Sequence, residues 1–322
     1  MTGKLAGKVA LVAGATRGAG RAIALALGEA GATVFCTGRS TRAEAARRTP
    51  RPDAPFVLAH RPESIEETAE GVTARGGSGV AVRVDHTVPE QVEALAERIR
   101  AEQGRLDVLI NDVWGGDELA QWATPFWELD LHQALTLLQR AVHSHLITSR
   151  WCVPLMIGQP GGLVIEVTDG DGLFYRGMLV YDLVKISVIR LAFAMAEELR
   201  PHGVAALALT PGFLRSEAML EAHGVTEANW RDAGAQDPHF LASESPAYVG
   251  RAVVALATDP QVLAKSGGVY STWGLQPEYG FTDADGSRPD WGAHAAGRDF
   301  HRDQMASQAR FLAPFGARTD AP

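Results

Sequence analysis

Short apolar runs alternate with amphipathic ones along most of the 322 residues. Lys8–Ala13 reads as a strand, Gly18–Ala30 as a helix and Thr33–Thr37 as a strand. Val80–Val84 predicts the next strand, Pro89–Glu102 a helix and Leu106–Asn111 a strand. A long helical stretch follows from about Phe126 to Met156, then the strand Leu163–Thr168. The helix from about Met178 to Leu199 and the strand Val204–Leu209 complete the series. The strand runs are almost wholly apolar and lack polar alternation, as in a parallel sheet buried on both faces. Strand–helix alternation implies βαβ units. The expected fold is α/β, a single Rossmann-type doubly wound parallel sheet with helices on both faces. Residues 1–275 form the expected domain, and residues 276–322 a C-terminal extension packed on it or on a neighbouring subunit.

Two regions break the rhythm. Residues 39–62 are rich in Arg and Pro, with Arg47-Arg48-Thr49-Pro50-Arg51-Pro52 at the centre. This insertion reads as a surface loop, with a lid or phosphate-side clamp as the alternative. Ser64-Ile65-Glu66-Glu67 then reads as a capping box that starts a helix. The extension carries Tyr279, Phe281, Trp291, Phe300 and Phe311, and that many aromatics argue against disorder.

Composition narrows the partners. Nearly half of the residues are apolar, enough for a sizeable core. The formal charge of −8 argues against nucleic acid or an anionic membrane as the main partner. No apolar run reaches bilayer length, and the first residues lack the apolar core of a signal peptide. Cys36 and Cys152 both sit in apolar surroundings and read as core residues. No Cys/His spacing suits a metal. A cytoplasmic location is the expectation.

The segment Gly14-Ala15-Thr16-Arg17-Gly18-Ala19-Gly20 joins a predicted strand to a predicted helix. Such glycines permit a tight turn, backbone approach to a pyrophosphate and close helix packing, with the helix N-terminus facing the anion. Far downstream, Tyr181-Asp182-Leu183-Val184-Lys185 sets Tyr181 and Lys185 on one helix face. There an ammonium lowers a phenol's pKa by favouring its charged form. An acid that binds the ribose hydroxyls is expected about 20 residues past the first glycines. The chain instead reads Thr37-Gly38-Arg39-Ser40. Arg39 and Arg17 suit a 2′-phosphate through paired hydrogen bonds. NADP(H) is therefore expected over NAD(H).

Together these motifs resemble the short-chain dehydrogenase/reductase family, whose turn reads Thr-Gly-x-x-x-Gly-x-Gly; Ala13 stands for that Thr. The resemblance runs from about Leu5 to Ser271. It implies cofactor contacts at Gly14, Thr16, Arg17, Gly18, Ala19 and Gly20, and at Arg39 and Ser40. Asp85-His86 matches the family's adenine-side acid. Asn111-Asp112-Val113-Trp114 occupies the place of its Asn-Asn-Ala-Gly, with Asn111 kept and Val113 expected at the cofactor. Pro211, Gly212, Phe213 and Ser216 match its Pro-Gly-x-x-x-Thr, expected at the nicotinamide amide.

The resemblance also implies chemistry. Tyr181 is the expected proton donor or acceptor, and Lys185 the residue that holds the nicotinamide ribose and lowers the Tyr181 pKa. The family's Ser falls on Val167-Thr168-Asp169-Gly170, so Thr168 and Asp169 both qualify. Thr168 keeps a hydroxyl. An ionised Asp169 accepts hydrogen bonds but donates none. The family's relay Asn falls near Ala141, with His143 close by as a replacement. Asp112, Asp117, Glu166, Asp169 and Asp171 gather by sequence around the pocket and hint at an amine, iminium or polyol. Trp114, Phe174, Tyr175 and Phe213 are candidate apolar walls. The expected activity is an NADP(H)-dependent oxidoreductase that interconverts a carbonyl and an alcohol on a small molecule. The alternatives are a cofactor-binding protein with little turnover and an imine- or amine-directed reductase. A homodimer or homotetramer joined through the two long helices is expected.

Overall fold

Every residue of Val9–Ala13, strand β1, is buried, because it lies mid-sheet with helices over both faces. The structure is a computed structural model that describes residues 3–45, 63–159 and 161–316. The other strands are β2 (Thr33–Gly38), β3 (Ser78–Arg83), β4 (Val108–Asn111), β5 (Gly162–Val167), β6 (Val204–Thr210) and β7 (Val269–Ser271). All pair in parallel, in the order β3-β2-β1-β4-β5-β6-β7. The order reverses between β1 and β4, and a crevice opens past the carboxyl ends of strands at such a point.

The twelve α-helices of the described residues are α1 (Gly18–Glu29), α2 (Arg42–Ala45), α3 (Ile65–Ala74), α4 (Pro89–Gln103), α5 (Leu131–Leu138) and α6 (Ser144–Cys152), then α7 (Leu179–Leu199), α8 (Glu217–Ala222), α9 (Pro246–Thr258), α10 (Thr272–Tyr279), α11 (Trp291–Ala295) and α12 (Asp299–Gly316). Side chains alternate between two cores. Ala10, Val12, Val34, Ile110 and Ile165 pack with α1, α3 and α9. Val9, Leu11, Phe35, Leu109 and Val164 pack with α4, α6 and the end of α7. Cys36 and Cys152 lie in these cores, and burial pushes each thiol up to about 12.

The doubly wound parallel sheet matches the sequence expectation. The predicted helix from Phe126 to Met156 does not form as one piece. Asp130 caps α5 by accepting from Gln133 N at 3.1 Å. A π-helical turn, Gln139–His143, then joins α5 to α6, and Val153–Leu155 ends in a 3₁₀ turn containing Pro154. The elements α2, α8, α9, β7, α10, α11 and α12 lie beyond the expectations. Ser64 does cap α3, accepting from Glu67 N at 3.2 Å. Most of the expected 39–62 insertion, from residue 46 on, lies outside the described residues.

Segments far apart in sequence are tied to the sheet's carboxyl edge. Asp283 is buried and accepts from Arg215 Nη2 at 3.2 Å and Ser245 N at 2.8 Å. Gln308 and Ser307 of α12 accept from Leu173 N and Tyr175 N. On the outer side, Leu131, Leu135, Leu146, Leu179, Leu183 and Phe193 of α5, α6 and α7 are exposed. No helix among the described residues is long and apolar enough to cross a membrane.

Candidate active site

The cleft begins where two backbones touch. A Cβ on Gly14, whose φ is +96°, would lie 2.4 Å from the Asp112 carbonyl oxygen. A Cβ on Gly20 would lie 2.4 Å from the Gly14 oxygen. Only glycine lets the β1–α1 turn settle on the segment after β4. The first N–H of α1 then points into a cleft of about 860 Å³. There Gly18 N donates to Glu217 Oε2 at 2.9 Å. A carboxylate from α8 thus sits on the positive end of α1.

Most of the expected site residues line this cleft. Gly14, Thr16, Arg17, Gly18, Ala19, Arg39, Ser40, Asp85 and Val113 do so. Pro211, Gly212, Phe213, Ser216, Thr168, Asp169, Tyr181 and Lys185 line it as well. Gly20 stands behind the turn. Two of the expected cofactor residues, Asn111 and His86, have their side chains held by the interior. Asn111 is fully buried, donating to Glu166 Oε1 at 2.7 Å and Ser149 Oγ at 3.0 Å, because β4 turns it into the interior. His86 reaches the cleft wall, but its ring nitrogens lie 2.8 Å from Thr37 Oγ1 and 2.8 Å from Thr148 Oγ1. Burial lowers its pKa to about 3, so the ring is neutral.

The arginines are not without acids nearby. Arg39 Nη1 lies 3.7 Å from Asp85 Oδ2, and Arg17 Nε lies 3.9 Å from Glu63 Oε2. Counting along β2 finds no acid because both come from other elements. Ser216 Oγ caps α8, accepting from Met219 N.

At the chemical end, Tyr181 Oη donates to Asp169 Oδ2 at 2.8 Å. Its ring packs against Trp114 at 5.4 Å and Trp122 at 4.9 Å. Lys185 Nζ lies 4.7 Å over the Trp114 ring and 5.5 Å over the Tyr181 ring. Burial, then the charge and hydrogen bond of Asp169, raise the Tyr181 pKa well above the ordinary phenol value. The lowering expected of Lys185 is not found; the charge that pulls the phenol down is Arg176, and it does not prevail. Burial lowers the Lys185 pKa, opposed by the charges of Asp169 and Asp112. The Thr168 hydroxyl donates to the Lys185 carbonyl oxygen at 3.0 Å. Successive residues at a strand end point oppositely, so Asp169, not Thr168, meets the tyrosine.

Several residues at the site carry no motif. The Arg176 guanidinium donates to the carbonyl oxygens of Asp169 (2.5 Å), Gly172 (2.9 Å) and Phe174 (3.1 Å) and to Asp182 Oδ1 at 3.0 Å, pinning the loop after β5. Phe174 lies under that guanidinium, while Tyr175 is exposed. Of the five gathered acids, Asp112, Asp117 and Asp169 line the cleft. Burial pushes Asp112 up to about 7, with Lys185 and His145 pulling it back. The expected relay replacement, His143, is exposed. One residue pair further on, His145 is buried against Glu166 at 2.5 Å. Glu244 is buried and accepts from Gly212 N at 2.9 Å and Thr272 Oγ1 at 2.6 Å.

The profile of the short chain dehydrogenase family matches residues 43–224, more than half of the chain. Mouse dehydrogenase/reductase SDR family member 1 is 34% identical over 291 residues, covering 89% of this chain and 86% of the relative. Its human counterpart is 33% identical over the same span. A solved short-chain dehydrogenase from Mycobacterium thermoresistibile superposes with a TM-score of 0.70 at 22% identity, covering 89% of this chain and 92% of that one. Another, from Burkholderia cenocepacia in complex with NADP, gives 0.62 at 24% identity, covering 83% and 97%. At those identities the two structures speak for the fold. The chain belongs to the short-chain dehydrogenase family, and with it to the oxidoreductases.

Glu244 generates a stability prediction. Burial raises its carboxyl from the ordinary 4.5 to about 8. Between those values the folded chain holds a proton that the unfolded chain releases, so this group makes stability fall as pH rises through that window. Glu244→Gln carries no such proton. Its melting temperature should gain on the parent's from about pH 5 to about pH 8 and level off above. A parent–variant difference that is flat across that range would show Glu244 to be ionised in the fold.

Proposed function

We propose that this protein is an NADP(H)-dependent oxidoreductase that interconverts a carbonyl and an alcohol on a small molecule. The observation that carries the reading is the Tyr181 hydroxyl in a cleft that also holds Lys185 and the glycine turn. The residues fit a dinucleotide. Gly14 and Gly20 have no room for a Cβ, and the α1 N-terminus already holds an anion, the Glu217 carboxylate. Gly14, Thr16, Gly18 and Ala19 would hold the pyrophosphate, and Arg17 and Arg39 the 2′-phosphate. Ser40 and Asp85 stand on the adenosine side. Val113, Lys185, Pro211, Gly212, Phe213 and Ser216 would hold the nicotinamide half. Bound there, the nicotinamide supplies or accepts hydride. Residues 1–275 then act as the dinucleotide-binding and catalytic domain, with 276–322 as its extension.

Tyr181 gives its proton to the carbonyl oxygen in one direction and takes it back in the other. Lys185 sits between Asp112 and Asp169, which favour its ammonium form. Tyr181→Phe keeps the ring packing and removes the proton. We expect turnover to fall by about 10²–10⁴-fold, with cofactor affinity nearly intact. Titration of that variant should show NADP(H) binding at least about tenfold tighter than NAD(H), the worth of one charge-assisted contact. Near-parental turnover, or equal binding of the two cofactors, would end the respective part of the reading.

A second reading rests on Asp169. A carboxylate stands against Tyr181 where a hydroxyl donor would serve a neutral carbonyl. A cationic imine or amine turns that carboxylate into a partner. Asp169→Ser should raise turnover of neutral ketones by about tenfold and raise KM for cationic substrates, most at low salt. A variant slower on neutral ketones would exclude Asp169 as an obstacle to them.

The exposed leucines of α5, α6 and α7 support a homodimer or homotetramer joined there. Light scattering at micromolar concentration should give a multiple of the chain mass. A monomer would leave those faces without this role.

A further inference from the structure

Two arginines from separate elements converge on one glycine of the cleft. Arg39 follows β2, and Arg140 stands in the π-helical turn Gln139–His143 between α5 and α6. Both line the cleft, and Gly115 lines it with them. A Cβ on Gly115 would lie 3.3 Å from Arg39 Nη2 and 3.3 Å from Arg140 Cδ. Gly115 has a φ of +58°, and Arg140 Nη1 donates to its carbonyl oxygen at 2.8 Å. The bare glycine lets both side chains close over it. The main-chain bond fixes where the Arg140 guanidinium stands.

The pair spans the reversal of strand order. Arg39 comes from the β2 side of β1, and Arg140 from the chain after β4. A dinucleotide lies across such a point. Cations drawn together repel, more strongly as water is excluded. Asp85 holds Arg39 only loosely. Its Oδ2 lies 3.7 Å from Arg39 Nη1, beyond hydrogen-bond reach. Its Oδ1 accepts from Thr87 N at 3.0 Å and Thr87 Oγ1 at 2.7 Å, which ties the carboxylate to its own turn. A guanidinium carries five donors in a fixed fork that matches the oxygens of a phosphate. Two forks beside one glycine suit a doubly charged phosphate better than either does alone. The π-helical turn that bears Arg140 is a rare element, frequent at functional sites.

We propose that Arg140 is a specificity-determining residue that grips the 2′-phosphate of NADP(H) together with Arg39. The inference rests on the NADP(H) reading of this cleft and deepens it by a residue from a different element. NAD(H) carries a hydroxyl in place of that phosphate and draws no ionic contact from either arginine.

Arg140→Met keeps the apolar stem and removes the charge. Titration of NADPH and NADH, followed by nicotinamide fluorescence, reads both affinities without turnover. We expect NADPH to bind the variant about tenfold or more weakly than it binds the parent, with NADH within about twofold. The loss of NADPH affinity with added salt should be shallower in the variant, because one cation has left the phosphate. Adenosine 2′,5′-bisphosphate, which has the 2′-phosphate and no nicotinamide, should weaken by the same factor as NADPH. An NADPH affinity within about twofold of the parent's overturns the proposal. Equal losses for NADPH and NADH overturn it too, since they place Arg140 against a part common to both cofactors. Should Arg140→Met fail to fold, Arg140→Gln measured the same way decides between the same outcomes. Arg39→Ala run alongside separates the two failures. A parent that binds NADH as tightly as NADPH sinks the NADP(H) reading itself. An NADPH-specific loss in Arg39→Ala beside a parent-like Arg140→Met sinks only the role of Arg140.

Discussion

The near-contact between Gly14 and the Asp112 backbone governs the site. It joins the end of β1 to the continuation of β4 across the one reversal of strand order, and it leaves no space for any side chain at Gly14. From that junction the first N–H of α1 is aimed into the cleft, and Asp112 is trapped beneath it. Asp112 in turn helps to keep a charge on Lys185. Backbone geometry at one turn therefore sets both the anion site and part of the charge balance at Tyr181, on opposite sides of the same cleft.

That balance differs from the one implied by a Tyr–Lys pair alone. Lys185 lies over the faces of Trp114 and Tyr181, a position that steadies an ammonium. The hydroxyl of Tyr181, however, is held by Asp169. Burial and that carboxylate both favour the neutral phenol. A neutral phenol suits proton donation, and proton donation needs a means of recovery. Asp169 at the surface is the group that the Tyr181 hydroxyl meets.

The sheet, the glycine turn and the Tyr181–Lys185 pair were legible because each depends on local spacing. Buried parallel strands are apolar throughout, and four residues along a helix return to the same face. What failed to be legible depends on rotation or on distance in sequence. Whether Thr168 or Asp169 meets Tyr181 is decided by which way each points at a strand end, and residue counting left both open. Asn111 and His86 sit where the motifs put them, yet β4 and the threonines beside β2 and α6 draw their side chains inward. His145, not His143, is turned to the interior just past the π-helical turn, which leaves no mark in the apolar pattern. Glu63 and Glu217 reach the glycine-turn end of the cleft from separate elements, so no motif contains them.

The positions of the buried charges argue that the site, more than the core, shapes this sequence. The two main core clusters consist of apolar side chains. Burial strong enough to displace a carboxyl's pKa upward occurs at Asp112 and Glu244, and both touch cleft-forming backbone, at Gly20 and Gly212 respectively. Arg176 likewise spends its guanidinium on the carbonyl oxygens of the loop that carries Asp169. Each of these groups binds main chain that borders substrate or cofactor space. Main chain in loops has no ladder to hold it, and a buried polar side chain with fixed partners is a strong way to give it one position. Buried polar groups of this kind contribute little net stability but fix geometry. The cost of burying them is concentrated where a displacement of about an ångström would matter most.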